Sequence, residues 1–77
     1  MGTSIDQETA QKRVYLQLRQ GWRWYSLADL ARLTRYTEVT VLNMLHRLRA
    51  EGLVVSDNQR PAWWRALSVE EREAQTR

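Results

Sequence analysis

The chain has 77 residues, no cysteine and one histidine. That length makes one domain with a modest core, and the composition excludes disulfide staples, thiol catalysis and any zinc site built from clustered His and Cys. The formal net charge of +3 understates a local excess, because residues 10–67 carry ten basic against four acidic side chains, and eleven of the chain's twelve cations are arginine. Arginine forks onto phosphates and guanine edges, which favours an anionic partner such as nucleic acid; the bland alternative is a solvated basic face. No apolar run approaches membrane-spanning length, and the opening MGTSIDQET lacks the basic and apolar regions of a signal peptide. The expectation is a cytoplasmic protein without membrane association.

Ser4 and Gln7 form a capping box ahead of a helix at roughly 6–20, with Val14, Tyr15 and Leu18 on its apolar side and Gly21 as its stop. The next stretch, WRWYS, alternates large and polar residues and predicts a strand with Trp22 and Trp24 on one face. Ser26 then caps a short helix of about 26–34 carrying Leu27, Leu30, Ala31 and Thr34 at helical spacing. Thr37 caps another, whose Val41, Met44, Leu45 and Leu48 make an apolar stripe ended by Gly52. A β-branched run, a turn-rich segment at 57–61 and an aromatic run follow, predicting a hairpin with Arg60 and Pro61 at its tip. Ser68 and Glu71 form a second capping box, opening an acidic helix or tail over 68–77. The chain is thus expected to be a single domain over 1–77, mostly α with a small antiparallel β-sheet, its core at about 8–68.

The segment LADLARLTRYTEVTVLNMLHRLRAEGLV carries Leu30-Ala31, a β-branched Val41 ten positions after that alanine, and a closing Leu-x-x-x-Gly-Leu-Val from Leu48 to Val54. In these features, and in its order of elements over about 8–68, the chain resembles the winged helix-turn-helix family of DNA-binding domains. It departs at Arg35, four positions after the alanine, where such turns often carry glycine. The spacing from Gly52 to Pro61 and Trp64 is also similar to the wing of the Zα domains, a winged subfamily that binds left-handed nucleic acid. Where those domains carry lysine, asparagine and tyrosine in the recognition helix, this chain has Glu38, Leu42 and His46, so Z-form specificity is not carried over.

The resemblance implies a recognition helix at about 37–51 in the major groove of double-stranded DNA and a wing at 55–64 on the backbone or minor groove. The outward face of that helix offers chemistry to match. Asn43 can pair with adenine, Glu38 can accept from cytosine, and Arg47 can reach guanine or phosphate. Thr37 with the first-turn amides suits a phosphate, as do Arg32, Arg35 and Arg60, while His46 reads equally well as an ordinary surface imidazole. Strand parity sends only one of Trp63 and Trp64 inward. The Zα comparison favours Trp64 as the contact ring near the recognition helix, against His46, with Trp63 the more structural one. With no phenylalanine in the chain, tryptophan is expected to supply much of the core's aromatic bulk.

No carboxylate pair or glycine-rich phosphate loop appears, and Ser26, Ser56 and Ser68 read as caps or turn residues, so neither an enzyme nor a cofactor or metal site is expected. The first reading is a double-stranded DNA-binding transcriptional regulator, monomeric or weakly homodimeric. The alternative is a winged domain that docks a protein partner through a Val39/Leu42/Trp64 face.

Overall fold

The computed structural model describes residues 7–75; Ser4, half of the expected first capping box, lies outside them. Helix α1 spans Gln7–Arg19 and buries Ala10, Val14 and Leu18, the i, i+4 stripe on which its packing depends. Gly21 adopts φ 71°, the left-handed stop that glycine takes without a Cβ penalty. The Tyr25 hydroxyl donates to the freed Gln20 carbonyl at 2.6 Å. The left-handed turn continues through Trp22, at φ 52°, within a 3-10 turn over Gln20–Trp22. The expected strand through Trp22 and Trp24 is therefore corrected: β1 is only Tyr25–Ser26, because the turn consumes its first half and Ser26 is already the cap of the next helix.

Helix α2 covers Leu27–Thr34, with the Ser26 hydroxyl accepting from the Asp29 amide at 3.1 Å. Arg35 then takes φ 64°, ψ 21°, so the turn has the left-handed geometry for which glycine is favoured, held here by an arginine. Helix α3 covers Glu38–Ala50, capped by Thr37, and buries Val41, Met44, Leu45 and Leu48. It ends in a Schellman arrangement: Leu53 N–H donates to the Leu48 carbonyl and Gly52 N–H to that of Arg49, both at 3.0 Å, with Gly52 at φ 75°. Strands β2 (Val54–Ser56) and β3 (Trp63–Ala66) form the hairpin, and α4 covers Val69–Gln75. Its capping box is reciprocal, Glu71 N–H to Ser68 Oγ and Ser68 N–H to Glu71 Oε1, each at 3.1 Å.

The sheet order is β1-β3-β2, antiparallel throughout. Trp64 pairs with Tyr25 on one side and Ser56 on the other, and Trp63 pairs with Ser26. Parity therefore turns Tyr25, Trp64, Ala66 and Val54 toward α1 and α3, where all are buried. Trp63 and Arg65 face outward. Of the four tryptophans only Trp64, at 3 % exposure, joins the core, whereas Trp22, Trp24 and Trp63 are 39–44 % exposed. The expectation that tryptophan fills the core holds for one ring; leucines, valines and Tyr25 supply the rest. Two helices joined by a tight turn, followed by a β-hairpin on a three-stranded sheet, make a winged helix-turn-helix fold.

Candidate nucleic-acid interface

The core stripe of α3 fixes what its other side presents. At 3.6 residues per turn, burying Val41, Met44, Leu45 and Leu48 turns Val39, Asn43, His46 and Ala50 to solvent, and all four are exposed. The same rotation sets Arg47 and Arg49 on opposite flanks. Arg47 lines a groove against α1 with Lys12, Tyr15 and Glu51. Arg49 faces the wing.

Between α3 and the wing lies an open cleft of about 580 Å³, lined by His46, Arg49, Asn58, Arg60, Pro61 and Trp64 among others. Trp64 forms its floor. The His46 ring stands edge-on to it, with centroids 6.0 Å apart and planes at 86°, a favourable aromatic arrangement. The expectation that Trp64 lies near the recognition helix against His46 holds; the expectation that Trp63 is the more structural ring is corrected, since Trp64 is 3 % exposed and Trp63 40 %. Trp64 is covered because Tyr25 flanks it in the sheet and His46 caps its outer edge. Leu42 is half-buried against the core, so of the Val39/Leu42/Trp64 face only Val39, 70 % exposed, stands clear of the surface.

The wing is shaped by an acid. Asp57 accepts from the amides of Gln59 and Trp63, each at 3.0 Å, and Asp57 N–H donates to the Trp63 carbonyl at 3.1 Å. Asn58 sits at φ 60°, a conformation asparagine tolerates better than most residues, and its amide donates to Ser56 Oγ at 3.1 Å. The Arg60–Pro61 peptide is cis. Asn58, Gln59 and Arg60 project from this brace as exposed residues.

The remaining predicted residues lie around the helix pair. Thr37 Oγ1 accepts from the Thr40 amide at 3.2 Å and donates to Thr40 Oγ1 at 3.0 Å, so the hydroxyl is spent on its own cap. Glu38 is exposed in the first turn of α3, where the helix dipole favours an acid irrespective of any ligand. Arg32 bridges Asp29 at 3.1 Å on the surface of α2, and that bond, with Ser26 second, holds the Asp29 carboxyl below its usual range. Arg35 is exposed in the turn. Arg49 and the Asp57 brace were not anticipated. Arg49 follows His46 by three positions and Leu42 by seven, a spacing that marks one helix face, but its neighbours appear only once the wing is placed.

Solved structures share this fold, among them the following two. The Zα domain from Carassius auratus PKZ, crystallised in complex with Z-DNA, superposes with a TM-score of 0.74 at 20 % identity, covering 79 % of this chain and 97 % of that one. The ST1889 protein from the thermoacidophilic archaeon Sulfolobus tokodaii gives a TM-score of 0.74 at 21 % identity, covering 87 % of this chain and 68 % of that one. No protein-family model matches the chain, and no curated protein matches its sequence. Among the described residues, no helix is long and apolar enough to cross a membrane.

Proposed function

We propose that this protein binds double-stranded DNA, laying α3 in the major groove and the wing against the backbone or minor groove, and that it serves as a cytoplasmic transcriptional regulator. One observation carries the reading: His46 and Arg49 of α3 line an open cleft with Asn58 and Arg60 of the wing, and Asn43 is exposed on the same helix. Asn43 offers a bidentate pair to adenine, and Arg47, Arg49 and Arg60 offer guanidiniums to guanine edges or phosphates. The first-turn amides of α3 beyond its cap, with Arg32 and Arg35, add phosphate donors. Val39 suits a thymine methyl, and Glu38 a cytosine amine.

The neighbour crystallised with Z-DNA supports a nucleic-acid partner for this fold. Glu38, Leu42 and His46 do not repeat the lysine, asparagine and tyrosine of Zα recognition helices, so Z-form specificity is not carried over to this chain. A protein-docking role is less well supported, since it rests on Val39 alone once Trp64 is buried and Leu42 half-buried.

The test is fluorescence anisotropy of a labelled mixed-sequence duplex at several salt concentrations. Each neutralised phosphate contributes a slope of about 0.9 in log affinity against log salt. Arg49→Ala and Arg60→Ala should each weaken binding and flatten the slope by about that amount. Asn43→Ala should leave the slope intact and lose about 1–3 kcal/mol of discrimination at one base pair. Absence of binding at tens of micromolar protein in low salt would overturn the proposal.

A further inference from the structure

A wing that serves the cleft has to hold Arg60 over it, and a connecting segment samples many conformations unless something ties it. Packing does not supply the tie here. Asn58, Gln59 and Arg60 are exposed, and none of the three belongs to the core cluster.

One side-chain atom supplies it instead. Asp57 Oδ1 accepts from the Gln59 amide two positions on and from the Trp63 amide at the start of β3, each at 3.0 Å. The first bond closes an Asx turn, and the second joins the two ends of the loop. Beside it the Asp57 N–H donates to the Trp63 carbonyl at 3.1 Å. The Asn58 amide is held by Ser56 Oγ, and Ser56 is itself buried opposite Trp64 in the sheet. Arg60 lies in sequence between the two amides that one oxygen grips, and it lines the cleft with Arg49, whereas Asp57 does not line it.

Two properties of this carboxyl are separable. Both bonds fall on a single oxygen, and the carbonyl oxygen of an asparagine has the lone pairs to accept them as well. The geometry therefore needs an acceptor, not a charge. The charge has a consequence of its own, because a carboxylate in an element set against phosphates repels them over about 10 Å at 0.1 M salt.

We propose that Asp57 is the positioning residue of the interface: one of its oxygens fixes the loop that presents Arg60 to the duplex, while its charge restrains the affinity that results. The assignment rests on the duplex-binding reading above. It makes the acid's two contributions opposite in sign, so two substitutions at one position separate them.

The experiment is anisotropy of the labelled mixed-sequence duplex at several salt concentrations, with amide exchange of the unbound protein in parallel. Charge alone predicts that Asp57→Ala binds more tightly. The brace predicts the reverse: weaker binding, roughly five- to tenfold at 0.1 M salt, and a slope flattened by about 0.9 as one phosphate contact is lost. Asp57→Asn keeps the acceptor and should bind about two- to threefold more tightly than the native protein, the scale of one exposed charge pair, with the slope retained. Asp57→Ala should cause no further loss in an Arg60→Ala background and its full loss in an Arg49→Ala background. Protection of the Gln59 and Trp63 amides should disappear in Asp57→Ala and persist in Asp57→Asn. The proposal is overturned by unchanged or tighter duplex binding in Asp57→Ala, by equal losses in the alanine and asparagine variants, or by an undiminished loss in the Arg60→Ala background, which would assign the effect to the fold at large. Failure of the native protein to bind the duplex would overturn the duplex reading and this role together, whereas native binding that Asp57→Ala leaves intact would overturn this role alone.

Discussion

Arg35 closes the turn between α2 and α3 at φ 64°, ψ 21°, a region in which an L-residue carries a penalty of roughly 1–2 kcal/mol from its Cβ. Arg35→Gly removes that penalty. Glycine is freer in the unfolded chain, which offsets about 0.5–1 kcal/mol of the gain. The Arg35 side chain is exposed, so no packing is lost. The net expectation is a stabilisation of about 0.5–1 kcal/mol, or a rise of a few degrees in Tm, given roughly 4–8 °C per kcal/mol for a domain of this size. Arg35→Ala is the control, since it deletes the charge and retains the Cβ, and it should show no such gain. Thermal melts followed by circular dichroism read both. Equal gains for alanine and glycine would refute the backbone argument and assign the effect to arginine repulsion instead. The two variants should behave alike in duplex binding, each losing one phosphate contact, so the variant with the higher Tm would bind no better than the other.

The tryptophan doublet gives a sharper contrast. Trp64→Ala should cost about 3–5 kcal/mol, a large part of the stability of so small a domain, whereas Trp63→Ala should cost under about 1 kcal/mol; urea unfolding distinguishes them. The Arg65 guanidinium, then the Ser68 amide, hold the Glu71 carboxyl down at about 2 against an ordinary 4.5. A depressed carboxylate stabilises the fold above its unfolded value, and that contribution fades as pH falls from about 4.5 to about 2. Amide-exchange protection in α4, taken relative to the intrinsic rate at each pH, should therefore fall across that window in the native protein, and Glu71→Gln should remove this step.

The helices were legible because each carries two independent signals that agree. α3 has a cap at Thr37, a stripe from Val41 to Leu48 and a glycine stop at Gly52, and its observed span, Glu38–Ala50, departs little from the expected one. β1 was misread because alternation in WRWYS is a local pattern, while the left-handed turn begun at Gly21 carries through Trp22 and leaves two residues to pair. The fate of Trp63 and Trp64 was half legible. Parity demands that they part, but which ring goes inward depends on the pairing of Trp64 with Tyr25 and on the position of His46 in another element. Neither relation is written in the hairpin itself.

Charge was the least legible feature of the candidate site, because composition counts charges and only the fold assigns them neighbours. The middle of the chain has four acids, Asp29, Glu38, Glu51 and Asp57. Asp29 engages the α2 cap and Arg32, Asp57 braces the wing through two amides, and Glu51 accepts from Gln11. Glu38 sits where a helix dipole welcomes it. Each acid thus has a structural partner of its own, and none of the four lines the cleft between α3 and the wing. The arginines divide differently: Arg47 turns toward α1, Arg49 and Arg60 meet at the cleft, and Arg65 serves the outer sheet face. Arg65 is paired with Glu71, so the cleft is where two arginines meet with no acid in the lining. Overall charge predicts an affinity for polyanions, and the distribution of the arginines determines which face meets them.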